Sequence, residues 1–194
     1  MAILGRVAGG DHRIGRGLWL HARRLCRAAC AICLLVSGAA TQQTPEYHVK
    51  AAFLLNFTKF VEWPAVAFDD AHSPITVCLL GDDPFGATLN QLVEGEVVSG
   101  RKLIVQRIRR APPPKACQVL FVSQSEREVS RMLGALGPGV LTVGEGEEFL
   151  REGGIIAFVL ENRRVRFDIN QSAAANASLT LSSRLLNVAK SVRR

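Results

Sequence analysis

Apolar positions in the segment 46–61 recur at helical spacing, as Val49, Ala52, Phe53, Phe57, Phe60 and Val61, and predict one long amphipathic helix. Asn56 shares that stripe and is expected to need a buried hydrogen-bond partner. Leu54 and Leu55 fall off it, so the helix carries more apolar surface than one core face requires. This pair is therefore the candidate interface. Trp63-Pro64 stops the helix, because the residue before a proline disfavours the α region. Further along, short apolar runs at 75–80, 103–108, 119–122 and 140–143 read as strands. Between them, Asp83 with Pro84 is placed to start a helix through Leu89, Leu92 and Val93. Ser125 with Glu128 reads as a capping box for a helix through Val129, Met132, Leu133 and Leu136, ended by Gly137-Pro138-Gly139. Residues 147–151 predict a short helix. The runs 155–160 and 165–169 flank Glu161-Asn162-Arg163-Arg164, a hairpin turn. Asn170 or Ser172 can cap an alanine-rich turn, and after Ser182 the stripe Leu185, Val188, Ala189, Val192 predicts a last helix.

Alternation of strands and helices over short connections gives the α/β class. The expected architecture is a single three-layer domain with a mostly parallel mixed sheet and a C-terminal β-hairpin plus helix. The hairpin is expected at one edge of the sheet.

The N-terminus stands apart from this pattern. Arg23, Arg24 and Arg27 precede an uncharged stretch at 28–40, AACAICLLVSGAA. A basic segment, a short apolar core and small residues at its end mark a secretory signal peptide, with cleavage expected after Ala39 or Ala40. The expected domain is then 41–194. The same segment explains the charge: residues 1–40 hold six of the 24 Lys+Arg and one of the 17 Asp+Glu, leaving 18 against 16 in the rest. A net +2 over the remainder removes the main support for nucleic-acid binding that a net +7 would offer. A charge-free run of about 18 apolar residues is absent, so a polytopic membrane protein is excluded.

Export leaves two cysteines, Cys78 and Cys117, in an oxidising compartment. They are a disulfide or two buried thiols. A 2-1-3 strand order would make their strands neighbours and bring their Cα atoms within bonding range.

Chemistry is sparse. His48 and His72 have no ligand partner at useful spacing, so no metal site is expected. Nucleophile-elbow, P-loop and HExxH patterns are absent, and no catalytic residue or cofactor is assigned. Gly144-Glu145-Gly146 reads as a turn. Glu145, Glu147, Glu148 and Glu152 read as a solvated helix face, and Arg107, Arg109 and Arg110 as a charged strand edge. Asp82 and Asp83 follow a strand end, where open α/β sheets bind ligands; with Ser123 they form the candidate ligand crevice, although a turn plus a helix cap would also explain them.

Several strings together resemble the YfiR family. Tyr47-His48-Val49-Lys50-Ala51-Ala52-Phe53-Leu54-Leu55-Asn56-Phe57-Thr58-Lys59-Phe60-Val61-Glu62-Trp63-Pro64 is similar to its opening helix, and Val165-Arg166-Phe167-Asp168-Ile169-Asn170 to a later strand. Gly81-Asp82-Asp83-Pro84-Phe85-Gly86, Leu120-Phe121-Val122-Ser123, Gly153-Gly154-Ile155-Ile156 and Leu181-Ser182-Ser183-Arg184-Leu185-Leu186 fall in the family's order. The resemblance implies a periplasmic, dimeric, non-enzymatic regulator. It implies binding to the periplasmic domain of an inner-membrane diguanylate cyclase, which is held inactive so that cyclic di-GMP and biofilm formation fall. An OmpA-like outer-membrane lipoprotein is implied as the factor that relieves repression. Cys78 and Cys117 match the family's disulfide positions, while a second disulfide of the best-studied relative has no counterpart here. The competing reading is a periplasmic small-ligand-binding protein that uses the crevice at Asp82, Asp83 and Ser123 and acts with another membrane sensor.

Overall fold

The computed structural model describes residues 45–194. The expected leader at 1–40 and its cleavage at Ala39 or Ala40 lie outside the described residues. In chain order the elements are α1 (Pro45–Lys59), β1 (Val61–Glu62), a 3-10 turn (Ala65–Ala67), β2 (Ile75–Leu80), α2 (Ala87–Val93), β3 (Val97–Val98), β4 (Arg101–Ile108), β5 (Val119–Val122), α3 (Val129–Gly134), β6 (Leu141–Glu145), α4 (Gly146–Arg151), β7 (Ile156–Glu161), β8 (Arg164–Asn170), α5 (Gln171–Asn176), β9 (Thr180–Leu181), α6 (Ser183–Val188) and β10 (Ser191–Arg193).

Among the described residues, eight strands form one sheet in the order β10-β8-β7-β6-β5-β2-β4-β3, and β1 pairs with β9 apart from it. Strands β4, β2, β5, β6 and β7 run parallel, and β7–β8 is an antiparallel hairpin. The sheet is thus α/β, mixed and mostly parallel, and its β4-β2-β5 stretch has the 2-1-3 order. Strand β2 is central and buried at all six positions, which is why its sequence is a continuous apolar run rather than an alternation. Odd-numbered residues of β2 and β5 face a core shared with α1 and α2. Even-numbered ones face a second core closed by α3 and by Phe149 and Leu150 of α4. Helices therefore cover both faces.

Cys78 lies on β2 and Cys117 two residues before β5. They are disulfide-bonded, with Cα atoms 5.8 Å apart and a sequence separation of 39. Both are buried, so the bond joins neighbouring parallel strands inside the second core.

Several expectations need correction. The core face of α1 is the line Ala51, Leu54, Leu55, Phe57 and Thr58 with Lys50, not the phenylalanine stripe alone. Leu54 and Leu55 are fully or almost fully buried, at 0% and 9% exposure, so they cannot present a free interface. Val49 and Asn56 are exposed instead. Thr58 is the buried polar residue, and its hydroxyl donates to Leu55 O within the helix. Asp83 does not cap α2: its Oδ1 accepts from Phe85 N and Gly86 N in a turn, and the helix starts a residue after Gly86. Nor is there a capping box, since Glu128 adopts the left-handed conformation and Ser125 bonds to Ser123. Asn170 and Ser182 do cap α5 and α6. The last helix ends at Val188. Residues 191–193 then form β10 parallel to β8, so the hairpin is not the edge of the sheet.

Candidate functional site

The carboxyl ends of β2, β5 and β6 converge under the first turns of α1. Asp82 and Asp83 follow β2, Ser123 and Ser125 follow β5, Glu145 ends β6, and Tyr47 of α1 leans over them. Together they line a crevice of about 250 Å³. It sits between β2 and β5, where the strand order reverses, the position at which open α/β sheets leave a gap between diverging connections. The three crevice residues expected from sequence are brought together here. Gly81 permits the close approach of the two turns. Its φ is +84°, and a Cβ there would lie 2.6 Å from Glu126 Oε1 and 3.1 Å from Ser123 Cβ.

Sequence reasoning missed the strongest electrostatic feature of this site. Lys50 is buried, and its Nζ lies 2.6 Å from Glu145 Oε1 and also contacts the Glu46 carboxylate. The ammonium also stands 4.4 Å from the centre of the Tyr47 ring. Tyr47 Oη donates to Glu145 Oε2 at 3.5 Å. Glu145, expected on a solvated helix face, is instead the inward carboxylate at the end of β6. Burial alone would lower the lysine's pKa, but the hydrogen bonds to Glu145 and Glu46 outweigh it and hold the pKa above 10.5. Burial, with the Glu145 charge beside it, raises the Tyr47 hydroxyl above 10.0. The available signal was the line Tyr47, Lys50, Leu54, Phe57 at three- and four-residue spacing, which puts Lys50 on the core face.

Asp83 already has a structural task. Besides holding its turn, its Oδ2 accepts from Arg107 Nε at 2.8 Å, and Arg107 also donates to Gly86 O and Asn90 Oδ1. Arg107 thus belongs to this turn, whereas Arg109 and Arg110 stay exposed. Asp82 is exposed at the mouth of the crevice, and its backbone N–H donates to Ser125 Oγ at 3.4 Å. His48 Nε2 lies 3.3 Å from Thr88 Oγ1 on α2. No group of three or more His, Cys, Asp or Glu side chains able to hold a metal occurs among the described residues. No described helix is long and apolar enough to cross a membrane.

Gly144, read as part of a turn, lies within β6. A Cβ there would fall 2.5 Å from the Phe149 ring, so the glycine lets α4 pack directly on the sheet. The turn belongs to Gly146, whose φ is +77°.

A solved structure of a conserved domain protein from Vibrio cholerae O1 biovar El Tor is similar to this chain, with a TM-score of 0.45 and 10% identity. The alignment covers 76% of this chain and 60% of that one. No curated protein sequence matches the chain significantly. A family profile described as YfiR/HmsC-like (DUF4154) matches residues 47–190, nearly the whole of the described fold from Tyr47 on α1 to the residue before β10. The chain belongs to the YfiR/HmsC-like family.

Proposed function

We propose that this chain is an exported regulator that binds the periplasmic sensing domain of a membrane diguanylate cyclase and holds it inactive, lowering cyclic di-GMP and biofilm formation. The observation that carries this reading is the family match across residues 47–190. The YfiR/HmsC-like family is regulatory rather than catalytic and acts in the periplasm on diguanylate cyclase signalling. The Cys78–Cys117 bond supports the same reading, because buried structural disulfides persist in oxidising compartments.

Repression of this kind needs only differential affinity. A sensor that is active half the time falls to about 1% active if the repressor prefers the inactive form about 100-fold, roughly 2.7 kcal/mol. A protein interface supplies that with a few well-packed apolar anchors. An OmpA-like lipoprotein would relieve repression by taking up the repressor, and a homodimer would present two binding surfaces. The direct test mixes purified mature chain with the purified periplasmic sensing domain of a membrane diguanylate cyclase from the same organism. Complex formation in calorimetry supports the reading, and its absence at high micromolar concentration contradicts it.

The crevice at Asp82, Asp83 and Ser123 supports a second reading, a small polar ligand bound beside Tyr47. The two are compatible, since a ligand there would act on α1. Asp82→Asn, which leaves the Asp83–Arg107 turn intact, should abolish such binding without unfolding the chain.

A further inference from the structure

The apolar rows of α1 and of the β7–β8 hairpin do not stop where the core stops. On α1, Phe57, Phe53 and Val49 succeed one another at four-residue spacing and so lie along one line of the helix. Across from them, Phe158 faces Phe167 and Leu160 faces Val165 in the antiparallel register. The inner part is closed: the Phe57 ring centre lies 5.0 Å from that of Phe167 and 5.8 Å from that of Phe158, and Phe53 lies 5.4 Å from Phe167. One step further out the same two rows end at Val49 and Leu160, which are 45% and 58% exposed. Between them runs an open groove of about 500 Å³, lined by Val49, Phe53, Leu160 and Val165 and rimmed by Arg163 and Arg164.

Charge selects the occupant. Glu46 also lines the groove, and its carboxylate shares the Lys50 ammonium with Glu145, so it is only partly compensated. Arg163 and Arg164 are exposed and form no ion pair among the described residues. Two arginines against one partly compensated carboxylate leave the rim net positive. Pairing this groove with itself across a two-fold axis would set two arginine pairs against each other, which disfavours a second copy. The turn adds an independent observation. Asn162 and Arg163 have φ of +50° and +62°, the conformation in which the second turn residue favours glycine. Folding alone would place glycine at 163, and a guanidinium stands at the groove's rim instead.

We infer that this groove is the surface that docks the partner, and that the partner contributes an apolar segment flanked by carboxylates. The inference rests on the regulatory reading above and names the surface for it. The test places the photo-crosslinking residue p-benzoylphenylalanine at Leu160 of the exported chain, in cells lacking the native gene. Val97, exposed on the edge strand β3 at the other side of the sheet, serves as control.

Irradiation should give an adduct from position 160 that contains the periplasmic domain of the diguanylate cyclase, and none from position 97. The pair Arg163→Glu and Arg164→Glu should remove most of that adduct and weaken binding of the purified sensing domain at least tenfold. Arg163→Gly should weaken binding while raising the melting temperature, which separates docking from folding. An adduct at 160 of two repressor chains would overturn the occupant in favour of a second copy. Normal repression and binding by Val49→Asp and by the Arg163/Arg164 pair would overturn the groove and leave the regulatory reading standing. Unchanged cyclic di-GMP on deleting the gene itself would overturn both.

Discussion

Lys50 on α1 and Glu145 at the end of β6 meet 2.6 Å apart, with side chains only 5% and 7% exposed, although 95 residues separate them in the chain. The pair fixes the first turns of α1 against the carboxyl edge of the sheet. It therefore sets where Tyr47 sits over the crevice and where Val49 emerges beside the hairpin. Removing one partner leaves a buried charge unmatched. Lys50→Met should destabilise the fold by about 3–5 kcal/mol in urea unfolding, and Lys50→Met with Glu145→Leu by clearly less than the sum of the two single changes. Additive effects would show that the two side chains are not coupled.

The same cluster fixes a pH dependence. Lys50 and Tyr47 both titrate above their usual values of 10.5 and 10.0 in the folded chain. A raised pKa means that the folded state holds its proton longer than the unfolded state. Its contribution is full below the unfolded pKa and is lost as pH rises through the folded one. Unfolding free energy should therefore be insensitive to this cluster up to about pH 10 and fall beyond it. The fall should be smaller in Lys50→Met. An equal fall in both proteins would remove the cluster as its source.

The disulfide closes a loop of 39 residues. On the chain-entropy model that constraint is worth about 4 kcal/mol. Protein purified from the periplasm and denatured without reductant should show almost no free thiol. Replacing both Cys78 and Cys117 by Ser should lower the melting temperature far more than any single exposed substitution. Two reactive thiols per chain in exported material would contradict the bond.

Phe57 is 1% exposed among Phe53, Phe158 and Phe167, whereas Val49, two turns away on the same line, is 45% exposed. Phe57→Ala should cost about 3–5 kcal/mol. Val49→Ala should stay within about 0.5 kcal/mol, as surface changes do. A cost at Val49 comparable to that at Phe57 would mean that the groove is closed in solution.

Much of the sheet was legible because a central parallel strand is buried on both faces, and a run such as Ile75 to Leu80 has few other interpretations. The hairpin was legible from Glu161-Asn162-Arg163-Arg164 between two apolar runs, and Asn170 and Ser182 announced their helices by capping them. The core face of α1 was not, because three phenylalanines outweighed the line that carries Lys50. A lysine on that line reads as solvent-facing until its carboxylate appears, and Glu145 is too far away in sequence to suggest itself. Leu54 and Leu55 were misplaced for the same reason. Residues 191–193 continued a helical stripe, yet pairing with β8 satisfies their backbone groups and overrides a period of two turns. At the crevice, the strand-end positions of Asp82 and Ser123 make their proximity legible, whereas the Asp83–Arg107 link needs the neighbouring strand β4 and is invisible from spacing.

The central claim, repression from the periplasmic side, is tested most directly by cellular cyclic di-GMP in a strain lacking the gene. Deletion should raise it severalfold, and the full chain should restore the original level. The same chain without residues 1–40 should not, since the proposed target, a periplasmic sensing domain, lies across the inner membrane. Unchanged cyclic di-GMP on deletion, or equal restoration by the chain lacking residues 1–40, would contradict the account.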